Sequence, residues 1–524
     1  MINKQKLPRY EMHKYWGKKP AFGLAPLIKK YSKPGDLLLD PFAGYGVFCS
    51  EAYIAGRNVI ANDLNPIANF IEENLLDNNI NINKVLRTWT KIKDLFIPFV
   101  SYWYKIDGTN NLPISVLRDH EGNILKARFD RNVIPQEITF TQEQNEAYRK
   151  FENEQEITDW YPQNKLIPNS RISAKKEMTV ADLFTKRQLA CHARLYKLIK
   201  EYSSGAEQNI LLLAFTANLA NCSVLVPPIK TRGEMAQGAW MTGFYTGETY
   251  IENNVLHYFE NRLAKVISGK KDYYSCIQKD LFSSNNSTTY KIMSADAKHL
   301  PIDDGSIDYV FTDPPYGDTV PYFEQSIIWN AWLKVEPDYQ NEIVVSNSGV
   351  RNKDGYHFEE DIQKAFSEIR RVLKKDRHFS LTYHSLSGEE WKSITNACIQ
   401  NGFELETYEW LTQKTFTPRQ LNRVKTVKGD VLITLRNSQN KFHYTPTDKE
   451  EQEEIIKKHL HKIIDRQSAD TNEVMIKIME WIFSNKIIIN DVDIYKILKD
   501  NLGQLHKSVD AHNLPNQKSC SSGT

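Results

Sequence analysis

The chain has 524 residues, 41% of them apolar and 25% charged, with a formal net charge of +2. That length points to about two to four domains with room for a large core. The near-neutral balance excludes a histone-like polycation, so nucleic-acid binding would have to come from local basic faces. Six scattered cysteines without a Cys-x-x-Cys pair exclude a zinc ribbon and a disulfide framework, and fit a reducing cytoplasm.

The first 19 residues are basic and polar with no apolar run, so no secretory signal peptide is expected. Residues 13–20 read His-Lys-Tyr-Trp-Gly-Lys-Lys-Pro, and 21–31 carry apolar residues at helical spacing. Gly17-Lys18-Lys19 is not a phosphate loop: the upstream Gly, the following Ser or Thr and the preceding strand are all missing. After a Pro34-Gly35-Asp36 turn, Leu37-Leu38-Leu39 predicts a short buried strand that runs into Asp40-Pro41-Phe42-Ala43-Gly44-Tyr45-Gly46. A helix is expected over 47–55, ended by Gly56, then a second strand over 58–61 with Asp63 at its carboxyl end. This is a βαβ unit with glycines in its first turn, where backbone can approach a ligand, and an acid placed to grip ribose hydroxyls. The dinucleotide fingerprint Gly-x-Gly-x-x-Gly is absent.

Residues 67–289 break this rhythm. A mixed helical stretch is expected over 71–99, short strands with turns over 102–139, a polar loop over 141–177, a helical pair over 184–225 and a helix over 252–267. The uncharged run 210–229, interrupted by Asn218, Asn221 and Ser223 and closed by Pro227-Pro228, fits a buried helix better than a membrane span. Trp240, Phe244, Tyr245 and Tyr250 lie among glycines, a pattern that serves either base stacking or core filling.

The strand pattern resumes at 291–293, with Asp296 just beyond it, and 307–312 is a second apolar strand leading into Asp313-Pro314-Pro315-Tyr316. A double proline ends a strand, and the residue before proline is held extended. The result is a stiff ledge bearing one carboxylate, carbonyls without neighbouring N–H groups, and an aromatic ring, a set suited to a planar ring with an exocyclic amine. Helices over 322–333, 358–375 and 391–401 and strands over 379–384, 408–411 and 431–435 complete the core. Lys414, Arg419, Arg423, Lys425 and Lys428 form a basic loop, either a solvated face or a phosphate contact.

Asp313-Pro314-Pro315-Tyr316 resembles the catalytic motif of S-adenosylmethionine-dependent amino-methyltransferases, which methylate exocyclic amines, most often N6 of adenine in DNA. Asp-x-Phe-x-Gly-x-Gly at 40–46 is similar to that family's cofactor turn, as Asn-Asp-Leu-Asn-Pro at 62–66 is to the segment after its second strand. The resemblance covers about residues 10–75 and 290–435, and is nearest to adenine-specific DNA methylases with a Trp-Gly-Lys-Lys-Pro-like start and a large insertion. It implies an α/β fold: a Rossmann-like class I methyltransferase sheet with a large mixed insertion and a helical C-terminal region. The divisions expected are 1–75 and 290–436 as core, 76–289 as a mostly helical insertion that is a candidate for target recognition, 437–510 as a helical accessory domain, and 511–524 as a flexible tail.

The resemblance further implies S-adenosyl-L-methionine as cofactor, held by Trp16, Lys18, Asp40, Pro41, Phe42, Ala43, Gly44, Gly46, Asp63 and Asp296, with Asp313, Pro314, Pro315 and Tyr316 catalytic. No metal and no membrane are implied, and the stretch 102–140, where relatives often hold a zinc ribbon, has no Cys. Tyr45 stands where a small Ser is common; the resemblance implies a narrower cofactor site, which a backbone-lined turn should tolerate. Double-stranded DNA is the implied substrate, and a restriction endonuclease or defence-system partner is the kind of company such enzymes keep. Asp at 313 favours adenine, since cytosine-N4 enzymes more often carry Ser there. An RNA amino-methyltransferase, a DNA cytosine-N4 enzyme and a non-catalytic nucleic-acid-binding subunit stay open as alternatives.

Overall fold

The computed structural model describes residues 7–105, 111–281, 288–383, 388–411, 430–438, 448–464 and 471–490, with a few single positions up to 500. The chain divides into two compact units, one of residues 1–301 with 318–354, the other of 302–317 with 355–524.

In the first unit, α1 (Ala21–Tyr31) leads into β1 (Leu37–Asp40), α2 (Val47–Ile54), β2 (Asn58–Asn62) and α3 (Pro66–Leu76). β1 pairs in parallel with β2, and β2 pairs in parallel with β7 (Tyr290–Met293). Both strands of the βαβ unit are buried along nearly their whole length, with apolar residues at their centres, as in a strand covered on both faces.

Between α3 and β7 lies the insertion: α4 (Ile82–Tyr104), β3 (Ser115–Asp119), β4 (Ile124–Arg128), β5 (Glu137–Thr139), α5 (Gln142–Glu154), α6 (Lys186–Tyr202), α7 (Gly205–Leu219), β6 (Thr249–Asn253) and α8 (Val255–Leu281). Its strands form an antiparallel sheet in the order β5-β4-β3-β6. Two expectations need correction. The stretch expected as a polar loop after 141 begins with α5, held by a Thr141/Gln144 capping box and by Asn145, whose side chain bonds both the N–H and the carbonyl of Ile124. The helix expected from 252 starts at Val255, because Thr249–Asn253 pairs with β3 and Asn254 Oδ1 then caps the N–H groups of Leu256 and His257.

α8 ties the insertion to the βαβ unit. The buried Lys270 ammonium donates to the carbonyls of Asn74 (2.8 Å), Leu75 (3.0 Å) and Asp77 (2.6 Å), so it caps the C-terminal end of α3. Burial pushes its pKa down to about 7. α9 (Tyr322–Leu333) completes this unit, and no helix among the described residues is long and apolar enough to cross a membrane.

The second unit holds β8 (Ile307–Thr312), α10 (Gly355–Val372), β9 (Leu373–Tyr383), α11 (Gly388–Gln400), β10 (Phe403–Leu411), β11 (Asp430–Asn437), α12 (Lys449–Ile464) and α13 (Thr471–Ser484). β8 and β9 are parallel; β11 and β10 extend them antiparallel in the order β8-β9-β11-β10. Parallel strands alternating with helices, closed by an antiparallel edge, make this the Rossmann-like α/β class that the sequence led us to expect. The basic loop with Lys414, Arg419, Arg423, Lys425 and Lys428 lies outside the described residues, as does the 511–524 tail.

Candidate functional site

The first group of expected site residues gathers at the carboxyl end of β1 and β2. The buried Asp40 ends β1 and accepts from the N–H of Phe42 (3.1 Å), which turns the chain sharply past Pro41. Ala43 N–H donates to the Asn62 carbonyl (3.0 Å), and Gly46 N–H donates back to Ala43 (2.8 Å). Gly44 (φ +59°) and Gly46 (φ +79°) both lie in the left-handed region, where a side chain is strained. A Cβ on Gly44 would meet the Tyr15 ring at 3.2 Å, and one on Gly46 would meet Glu72 Cγ at 2.9 Å.

Asp63 braces this turn. Its Oδ2 accepts from Gly44 N–H (2.9 Å) and its Oδ1 from Asn65 N–H (2.8 Å). Burial pushes its pKa up to about 6 against those two hydrogen bonds. Asn62, next to it, donates to the carbonyls of Pro41 (3.1 Å) and Ala295 (2.9 Å) and accepts from Ala295 N–H (2.9 Å). One buried amide therefore joins the ends of β1, β2 and β7. Asp296 follows within that same end, accepting from Lys298 N–H (2.9 Å) with the Lys298 ammonium 3.6 Å away.

The N-terminal segment straps over the turn. Arg9 pairs with Glu51 of α2 (2.7 Å) and Asp272 of α8 (2.8 Å), and the buried His13 contacts Thr216 of α7 (3.2 Å). Trp16 joins an aromatic cluster with Tyr322, Trp240 and Trp329, its ring centroid 5.2 Å from that of Trp329. Trp240 and Phe244 are buried, so these aromatics of the Gly-rich stretch fill core; Tyr245 is exposed. Lys18 is engaged within the strap itself: it donates to the carbonyls of Tyr10 (2.9 Å) and His13 (2.6 Å) and lies over the Tyr45 ring. Tyr45 turns towards the strap, its hydroxyl accepting from His13 N–H (3.3 Å) and donating to the Arg9 carbonyl (3.2 Å).

The second group, Asp313 to Tyr316, stands in the other unit at the carboxyl end of β8. Asp313 Oδ1 accepts from Thr382 Oγ1 of β9 (3.1 Å) and from the Tyr316 hydroxyl. The Tyr316 ring is 8% exposed and edge-on to Tyr383 at 5.1 Å, which is edge-on in turn to Trp391 at 5.1 Å. So the carboxylate is oriented by two hydroxyls, and Tyr316 is packed where the sequence reading had it presenting a face. Thr382, Asn62 and Tyr15 were missed as supports. Asn62 alone had a signal, as the first residue of Asn-Asp-Leu-Asn-Pro. Among the described residues no group of His, Cys, Asp or Glu could hold a metal ion.

Residues 2–73, which hold the strap, the turn, Asp63 and most of α3, match the model of an N6/N4 DNA methylase family, described as DNA methylase. The resemblance drawn from the sequence is borne out over those residues. No curated protein matches the chain. Solved structures with some likeness include an S-adenosylmethionine-dependent methyltransferase of Methanosarcina mazei, 10% identical, covering 32% of this chain and 77% of that one at a TM-score of 0.18. A putative methyltransferase of Bacillus halodurans is 12% identical, covering 32% and 78% at a TM-score of 0.17. One from Mesorhizobium loti is 13% identical, covering 32% and 76% at 0.17. At such TM-scores these likenesses carry nothing further, and the fold class rests on the strand order.

Proposed function

We propose that this protein is an S-adenosylmethionine-dependent DNA methyltransferase acting on an exocyclic amine, N6 of adenine first among the choices. The observation that carries this reading is Asp313, held at the end of β8 by Thr382 and Tyr316 beside two prolines, in a chain whose residues 2–73 match a DNA methylase family.

The turn fits the cofactor. Gly44 and Gly46 leave bare backbone where a side chain would crowd Tyr15 and Glu72, Asp63 has carboxylate lone pairs for ribose hydroxyls, and Asp296 suits the amine of the adenine ring. Bound S-adenosylmethionine supplies an electrophilic methyl on a sulfonium. Pro41, Phe42 and Ala43 shape the turn around it, and Trp16 closes the strap behind Tyr15.

An exocyclic amine is a weak nucleophile because its lone pair is delocalised into the ring. Asp313 and the Pro314 carbonyl accept its two hydrogens, which favours a pyramidal nitrogen with its lone pair free for in-line attack. Positioning and electrostatics are then the chain's contribution. The incoming amine replaces the Tyr316 hydroxyl on Asp313, and release of that hydroxyl frees the ring to meet the base. The amine is out of reach inside a duplex, so the base flips at a cost of a few kcal/mol, and stacking returns about 1–3 kcal/mol. Asp at 313 is what favours adenine over cytosine.

The test gives purified protein labelled S-adenosylmethionine with unmodified duplex DNA or bulk RNA, digests the product to nucleosides, and runs Asp313→Ala alongside. N6-methyladenine in DNA, lost in the variant, is expected. N4-methylcytosine or label in RNA alone moves the substrate; no label with cofactor bound overturns the enzyme reading.

A further inference from the structure

Glu72 is the least explained side chain in the first unit. It lies on α3, wholly buried, and neither of its carboxyl oxygens has a hydrogen-bond partner among the described residues. It does not point to solvent as a helical glutamate ordinarily would; it runs along the glycine turn, where a Cβ on Gly46 would come within 2.9 Å of its Cγ and 3.6 Å of its carboxyl carbon. The charged groups acting on it are Asp63 after β2, Asp40 on β1 and Glu73 on its own helix, all acids. It acts in turn on the Tyr15 hydroxyl of the strap and the Cys49 thiol of α2. Burial, then Asp63, Asp40 and Glu73, hold its carboxyl well above the usual carboxylate range.

Such an arrangement is costly. A buried carboxyl without a partner forfeits its hydration, and nearby acids oppose its ionisation. Leu at this position would fill the space without burying a polar group. What the arrangement suits is a cation arriving at the turn, which relieves burial and acid repulsion together.

We propose that Glu72 supplies the countercharge for a cationic group of the sulfonium cofactor, an inference that rests on the function proposed above. The cofactor has two cations, its sulfonium and its amino-acid ammonium, and the chemistry that recognises either is the same. Before the cation arrives, burial and the neighbouring acids favour the protonated carboxyl. As the cation arrives the carboxyl O–H breaks, the proton leaves to solvent, and an ion pair forms with no bond to the cofactor made or broken.

Calorimetry near pH 7, in two buffers of different ionisation enthalpy, tests this on the full chain. Wild type is expected to release protons on binding S-adenosylmethionine. Glu72→Gln should lose that release and bind about tenfold or more weakly, the scale of a broken buried charge pair. Neutral 5′-methylthioadenosine should bind both proteins alike, which shows the variant's turn is intact. S-adenosylhomocysteine, which keeps the ammonium and lacks the sulfonium, then separates the sources: weakened binding in the variant assigns the ammonium, unchanged binding the sulfonium. Unchanged S-adenosylmethionine affinity in Glu72→Gln overturns the proposal, as does an equal loss for 5′-methylthioadenosine, the mark of a packing role. Should the variant not fold, absence of proton release in wild type overturns it. Failure of wild type to bind S-adenosylmethionine or S-adenosylhomocysteine instead overturns the functional reading beneath it.

Discussion

The Lys18 ammonium lies 3.8 Å from the centroid of the Tyr45 ring. This joins the N-terminal strap to the glycine turn, and it gives a bulky residue at position 45 a use against the strap. Burial pushes the Lys18 pKa down to about 7, with Arg262 and Lys14 acting the same way and Glu11 against. A ring face and two carbonyls are what hold the ammonium there.

Replacing Tyr45 by Ser, the residue common in the resembling family, is therefore expected to loosen the strap. The lost ring leaves a cavity and an ammonium without its aromatic face, and the cost should be about 3–5 kcal/mol, as for large aromatic truncations. Tyr45→Phe keeps the ring and loses only the hydroxyl's bonds to His13 and Arg9, for about 1 kcal/mol. Urea unfolding of the two variants checks the ranking; equal costs would mean that the ring carries nothing.

At the glycine turn, Gly44→Val must adopt a φ of +59° with a branched side chain against the Tyr15 ring. Affinity for S-adenosylmethionine should fall by about tenfold or more, the factor that 1.4 kcal/mol of strain represents. Intact affinity by calorimetry would remove the turn from the cofactor site.

Asp313→Ala should lower the methylation rate by about 10²-fold or more, the scale of a positioned catalytic side chain. Thr382→Val removes only the hydroxyl that orients the carboxylate, and should cost less, about tenfold, with cofactor affinity unchanged. Single-turnover rates on DNA separate these. An Asp313→Ala protein with near wild-type rate would sink the catalytic assignment.

What was legible in the sequence was whatever local chemistry dictates. Leu37 to Leu39 and Tyr309 to Phe311 are apolar runs ended by Asp-Pro, and they form β1 and β8 with Asp40 and Asp313 at their ends. The chemistry of the turn glycines was visible because only glycine adopts their φ freely. α5 escaped because none of its residues is fully buried: its caps, Asn145 and the half-buried Tyr148 and Phe151 hold it, without a long apolar stripe. β6 escaped because Thr249 to Asn253 flows without a break into α8, and only pairing with β3 fixes where strand becomes helix. The direction of Tyr45, the packing of Tyr316 and the burial of Glu72 are set by what folds over them. A charged residue on an amphipathic helix reads as solvated until α2 and the turn close over it.

The strap also sets a response to acid. Burial holds His13 down to about 3, opposed by its bond to the Lys14 carbonyl and helped by Arg262, Lys18 and Lys14; His192 on α6 is held to about 4 by burial. Both therefore fold neutral and must gain a proton to unfold below their ordinary pKa of about 6.5. Below that pH the unfolded chain binds more protons than the folded one, so stability rises with pH and is lost as pH falls from about 6.5 towards 4. Each pH unit in that window should cost about 1.4 kcal/mol per histidine. His13→Gln removes one of these groups, so its urea midpoint should fall less steeply than wild type between about pH 6 and 4. Parallel slopes for the two proteins would show that His13 gains no proton in the unfolding step, and would overturn this account of the acid response.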